Sequence, residues 1–151
     1  MAILDSPFAL PDGRLLALDL GRVRHGVAVC DETGSLARPL EVFRRRSTRI
    51  EDFSALQALA VKEHAMGVLI GLPASADRPH SQQARWVVRY SRQLAGHLPV
   101  PAAFWDESLS SYDAGVLVGQ RSRLGLDAVA AALILQDFLD ARRARSSLEA
   151  V

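Results

Sequence analysis

The stretch LLALDLGRVRHGVAVCDETG, residues 15–34, decides how the rest of the chain is read. Residues 15–20 are Leu and Ala with a single charged interruption, Asp19, and that apolarity marks the central strand of a sheet. Gly21 begins a turn, and residues 25–30 (HGVAVC) read as a strand returning alongside the first. DETG at 31–34 is a second turn, and residues 36–43 form a third, more polar strand. The chain therefore opens as a three-stranded antiparallel meander.

Beyond residue 43 the pattern changes to alternation. Ile50, Phe53, Leu56, Leu59 and Ala60 recur at helical spacing within residues 49–64. Residues 67–70 (GVLI) are a short apolar strand closed by Gly71 and Pro73. A second helix is expected over 81–97, with Ala84, Val87, Val88, Ser91, Leu94 and Ala95 on one face, then a fifth strand over 100–105. A short helix over 110–119 and a longer one over 127–143 complete the chain. The last is apolar on most of its circumference through Leu139, so it is expected to press against the sheet. The order βββαβαβαα implies an α/β domain with a five-stranded mixed sheet, strand order 3-2-1-4-5, and flanking helices. One domain over residues 1–151 is expected, with a core of about 14–141. The N-terminal lead-in and the polar C-terminal tail are expected to be mobile.

Composition narrows the function. The 151 residues are 49% hydrophobic, and 18 Lys+Arg nearly balance 17 Asp+Glu, so a nucleic-acid site has to be a local patch. Lys62 is the single lysine, which leaves 17 arginines suited to bidentate phosphate contacts. The lone Cys30 rules out a disulfide within the chain and a cysteine zinc cage. MAILDSPFALPDG lacks the basic start and apolar stretch of a leader, and no run approaches ~18 apolar residues. A cytoplasmic protein with no membrane partner is expected. Walker-A, GxSxG and GxGxxG signatures are missing from the sequence.

Three acids carry the chemistry. Asp19 interrupts the central strand, where an uncompensated carboxylate costs on the order of several kcal/mol. It is either a strand-end acceptor for the Gly21 turn or an acid at the carboxyl end of a central strand, where sites gather in open α/β sheets. Glu107 follows the strand PAAFW in FWDESLSS. It reads as a helix-entry residue or as a second site acid, and Asp106 beside it competes, because neighbouring side chains alternate between faces. Asp127 opens the last helix and reads as an N-cap or as a third acid. In a 3-2-1-4-5 sheet, the ends of strands one and five and the start of the last helix meet. Three converging carboxylates need a cation, and an oxygen-only cluster suits Mg2+ or Mn2+.

LALDLGRVRHGVAVCDETGSLARPLEV, VLIGLPASAD, FWDESLSS and LDAVAAALILQDFLD together resemble the YqgF/RuvX family of RNase H-like proteins, related to the Holliday-junction resolvase RuvC. The resemblance covers about residues 15–140 with the motifs in family order. It implies a nuclease whose catalytic and metal-holding acids are Asp19, Glu107 and Asp127, working through two divalent ions about 4 Å apart. It also implies processing of the 5′ end of pre-16S rRNA, with DNA-junction cleavage or non-catalytic RNA binding on the same fold as alternatives. The chain departs from the family at Arg22, where Thr is usual. Its DER motif is here Asp106-Glu107-Ser108, GLPASADR lacks the family's Asn, and GQRSRLGL before the last acid is short. These departures spare the three acids and alter positions that would meet substrate.

Arg85, Arg89 and Arg92 fall at i, i+4 and i+7 of the second helix. They are either a solvated helix face or a phosphate-tracking stripe flanked by Trp86 and Tyr90, which could stack on bases or belong to the peripheral core. Arg22 and Arg24 are the cations nearest the proposed metal site. Arg44, Arg45, Arg46 and Arg49 read as a solvated connection, and the four histidines as surface or packing residues. An actin- or hexokinase-like kinase would need two such lobes. The expected partner is structured RNA, with DNA possible, for a monomer or homodimer.

Overall fold

The computed structural model describes residues 2–73, 81–107 and 125–149. After a 3-10 turn at Pro7–Ala9 come β1 (Leu15–Asp19), β2 (Arg24–Cys30), β3 (Ala37–Arg44), α1 (Arg49–Lys62) and β4 (Gly67–Leu72). They are followed by α2 (Gln82–Ala95), β5 (Ala102–Asp106) and α3 (Gly125–Glu149). The sheet order is β3-β2-β1-β4-β5, as the meander and two crossovers require. β1 runs antiparallel to β2 and parallel to β4, and β4 runs parallel to β5. The helix expected over 110–119 lies outside the described residues.

Period-two alternation splits the central strands between two cores. Leu16, Leu18, Leu20, Val27 and Val29 pack under α1 and α2 with Phe53, Leu56, Val87, Tyr90 and Leu94. Leu15, Ala17, Ala28, Leu69, Ala103 and Trp105 pack under α3 with Ala131, Ile134, Leu135 and Phe138. β1 is thus covered on both faces, which is why its sequence is nearly continuous Leu and Ala. Thr48 caps α1 by accepting from the Glu51 N–H, and Ser81 caps α2 by accepting from the Ala84 N–H.

α3 runs past residue 143, where its periodicity predicts an end. Arg142 donates to the carbonyls of Leu10 and Pro11 and lies over the Phe138 ring, while Arg145 lies over Phe8 and pairs with Glu149. The lead-in to β1 supplies these partners. Leu4 N–H donates to Ala102 O at 2.7 Å, Phe8 meets Trp105 edge-on, and Leu10 is buried.

Candidate active site

Asp19 ends β1 in the middle of the sheet, and its strand neighbours at that level are glycines. Gly26 of β2 is its register partner, and Gly71 of β4 follows Ile70, the partner of Leu18. Both face α3, by alternation with Ala28 and Leu69. A Cβ at Gly26 would lie 1.8 Å from the carbonyl oxygen of Asp127, so only glycine lets the start of α3 descend onto the sheet. A Cβ at Gly71 would meet Glu107 Oε1 at 2.7 Å and Ile134 Cδ1 at 2.9 Å, so the Glu107 carboxylate lies in the space that this glycine leaves. Two missing side chains thus admit the second and third acids on either side of the first.

β5 decides between the neighbouring acids. Ala103 and Trp105 face α3, and Glu107 continues their alternation onto the Asp19 side, while Asp106 is exposed. Asp19 and Glu107 share a hydrogen bond. Burial, then the charges of Glu107 and Asp127, then that hydrogen bond push the Asp19 carboxyl up from 3.8 to about 7. Glu107 is also raised, by burial and by the charge of Asp106, while the bond from Asp19 works the other way. Both carboxyls are thus shifted toward their neutral forms, the direction expected of close, partly buried acids.

Asp127 is within electrostatic reach of Asp19 but paired to Arg24, whose Nε stands 2.5 Å from Oδ2. Among the described residues, no three His, Cys, Asp or Glu side chains stand grouped to hold a metal ion. Asp127 is drawn to Arg24, while Glu107 lies close enough to Asp19 to raise its carboxyl. The donor set itself, carboxylate oxygens from three elements around a glycine cradle, fits a hard divalent cation.

The basic residues divide. Arg24 sits on the acids, and the Arg22 guanidinium lies 5.5 Å from the Trp86 ring centre on α2. The β1–β2 turn thus links the cleft beside α3 to the opposite face of the sheet. Arg85, Arg89 and Arg92 are exposed along α2 on that opposite face. Tyr90 is fully buried and hydrogen-bonded, so it cannot stack on a base, and Trp86, half-buried, packs against it. Arg45 does not belong to a solvated connection, because it pairs with the fully buried Asp52 at 2.8 Å. In the sequence Gly71 reads only as the end of a strand and Gly26 as part of one, although a glycine within a strand pattern signals close approach.

Residues 13–141 match the family model described as RuvX: Holliday junction resolvase. The chain belongs to the RuvX family. It is 37% identical over 134 residues to a Syntrophus aciditrophicus (strain SB) protein, covering 85% of this chain and 89% of that one. It is 38% identical over 138 residues to one from Anaeromyxobacter sp. (strain Fw109-5), covering 87% and 99%. Both are assigned by name to the pre-16S rRNA nucleases. Two solved structures share the fold. The yeast mitochondrial Holliday junction resolvase Ydc2 has a TM-score of 0.58 at 15% identity, covering 92% of this chain and 82% of Ydc2. T. thermophilus RuvC in complex with a Holliday junction substrate has 0.57 at 16%, covering 89% and 96%. The RuvX chain is therefore a five-stranded member of the RNase H-like fold, and among its described residues no helix is long and apolar enough to cross a membrane.

Proposed function

We propose that this RuvX chain is a divalent-metal-dependent nuclease acting in the cytoplasm on structured RNA, with the 5′ end of pre-16S rRNA as its substrate. The observation that carries the reading is the glycine cradle around Asp19: Glu107 occupies the space over Gly71, and the start of α3 brings Asp127 down over Gly26. The family relationship and the names of the relatives support the same chemistry.

Asp19, Glu107 and Asp127 would hold Mg2+ or Mn2+, and Asp127 would exchange Arg24 for the ion. Such ions polarise the scissile phosphate and supply a metal-activated water. The protein's own groups do the rest. Asp19 and Glu107, both raised, would give up protons on becoming ligands. Ile134 closes the apolar side of the space over Gly71 that holds Glu107. Arg24 would bind a phosphate next to the scissile one, and Arg22, carried toward Trp86 by the turn, would continue the path to Arg85, Arg89 and Arg92 on α2.

The test incubates labelled 5′-extended 16S precursor RNA, single-stranded DNA and a four-way junction with the wild-type chain and Asp19→Asn, with and without Mn2+. Mn2+-dependent RNA cleavage that Asp19→Asn abolishes is expected. Preferential cleavage of the junction by a dimer would make it a resolvase. RNA binding without cleavage, equal in both proteins, would make it a scaffold.

A further inference from the structure

On the sheet face away from the acids, four polar side chains form one buried line. His25, Asp52 and Tyr90 are each fully buried, and Arg45 closes the line at the surface. The donors and acceptors fix its direction. The Gly21 N–H donates to His25 Nδ1 at 3.1 Å, so the proton of the neutral ring is on Nε2, which donates to the Tyr90 hydroxyl at 2.9 Å. Tyr90 donates to Asp52 Oδ2 at 3.1 Å, and that oxygen also accepts from Arg45 Nε. The Arg46 N–H takes the other carboxylate oxygen. Burial pushes the imidazole down to about 4, with the Arg45 charge acting the same way, so it stays neutral. The ring is stacked on Phe43 at 5.6 Å with its plane nearly parallel.

The remaining bonds of this line converge on one short segment. Arg45 Nη1 donates to Arg22 O, and the Arg45 N–H donates to Val23 O. Gly21, Arg22 and Val23 are thus held at three successive positions by His25 and Arg45. The turn they form is closed so tightly that a Cβ at Gly21 would lie 2.4 Å from Arg24 O. It begins two residues after Asp19, carries Arg22 toward Trp86 and leads directly into Arg24, which pairs with Asp127.

The other buried positions facing the same way along β2, Val27 and Val29, are apolar, and an apolar residue at 25 would fill the core without a polar line to satisfy. We propose that His25 is a positioning residue: through its bond to the Gly21 N–H it sets the turn that leads Arg24 onto Asp127 beside Asp19, while Tyr90, Asp52 and Arg45 satisfy the rest of the buried line. The proposal rests on the nuclease reading of that site.

Two substitutions separate the two ends of the ring. His25→Asn keeps an acceptor near the Nδ1 position and removes the bond to Tyr90, whereas His25→Gln keeps a donor near Nε2 and removes the acceptor for Gly21. Tyr90→Phe breaks the line and leaves the Gly21 bond. For each full-length variant, the urea midpoint, kcat and KM for Mn2+-dependent RNA cleavage, Mn2+ affinity and the Gly21 amide resonance are measured. His25→Gln is expected to lower kcat by about tenfold or more, with KM little changed and the Gly21 amide shifted. His25→Asn and Tyr90→Phe should keep kcat close to wild type even where their urea midpoints fall further. If kcat follows the midpoint across the three variants, or His25→Gln retains kcat, the positioning role is wrong. If the wild type cleaves nothing, the nuclease reading fails. The Gly21 amide and Mn2+ affinity then decide alone: both changed in His25→Gln and unchanged in His25→Asn supports positioning, and any other pattern overturns it.

Discussion

Raising the pH from 4 to 6.5 without divalent cation should leave the urea stability of the wild-type chain nearly flat and tilt two single variants in opposite directions. The Asp19 carboxyl rises from 3.8 to about 7 on folding, so the unfolded chain releases that proton first. Its contribution to stability is therefore full below 3.8 and declines as the pH climbs through 7. His25 falls from 6.5 to about 4, so the unfolded chain takes up that proton first. Its contribution is full above 6.5 and declines as the pH falls to 4. A tenfold change in proton affinity is worth about 1.4 kcal/mol, so between pH 4 and 6.5 each group moves stability by about 3 kcal/mol, with opposite sign. Glu107, also raised, reinforces the Asp19 direction, while Asp31 and Asp52, both lowered, act below this window. Asp19→Asn should then gain about 3 kcal/mol across the window, and His25→Asn should lose about as much. Saturating Mn2+ should give the wild type a rising profile as well, because the ion replaces the protons on the acids. The assay is equilibrium urea unfolding followed by tryptophan fluorescence at fixed ionic strength in EDTA, in half-unit pH steps. A profile for Asp19→Asn parallel to wild type would refute the reasoning, because Asp19 would then not be titrating in this range.

Replacing Arg85, Arg89 and Arg92 together with Gln should flatten the salt dependence of RNA binding, by roughly 0.7–0.9 in the log–log slope for each phosphate no longer neutralised; an unchanged slope returns the stripe to an ordinary solvated face. Arg24→Gln should tighten Mn2+ binding severalfold in calorimetry, since it removes the cation that competes for Asp127, whereas Arg22→Gln should not. Gly71→Ala pushes on the ends of two side chains, so it should displace Glu107 and weaken Mn2+ binding by about tenfold while the chain stays folded. Gly26→Ala meets backbone instead and should cost about 3 kcal/mol or more in urea unfolding.

Much of this fold is legible in the sequence because the signals that matter are local. A six-residue run of Leu and Ala between turns, interrupted only by Asp19, is too short for a helix and reads as a covered strand, and three short strands joined by tight turns read as a meander. The end of α3 and the role of the lead-in are not legible, since Arg142 and Arg145 read as a polar tail until Phe8, Leu10 and Pro11 are known to lie beside them. At the site, Asp19 stands out because a carboxylate in an apolar strand demands a reason. The choice of Glu107 over Asp106 depends on where β5 begins to alternate, and a sequence leaves that register free by one residue. His25, Tyr90 and Asp52 come from β2, α2 and α1, and their hydrogen bonds join residues 65 and 38 positions apart, which no local pattern can see. Each also has an ordinary reading as a helix-start or core residue.

The two faces of the sheet explain why both kinds of buried polar group are tolerated together. Beside α3, burial and neighbouring carboxylates raise Asp19 to about 7 and raise Glu107 as well, so this face loses stability as the pH climbs toward neutral. Under α1 and α2, His25, Tyr90 and Asp52 are fully satisfied by one another and by Arg45, and that line is most stable at neutral pH, where the acids are least so. The Gly21 turn joins the two. If these acids hold a cation, as proposed above, the loop beside them would need support from groups that the cation does not touch, and the satisfied network across the sheet is such a support. The opposite pH tilts expected of Asp19→Asn and His25→Asn follow from this division. If both variants tilted the same way, the two faces would not be independent, and the separation of ligand from support would fail with them.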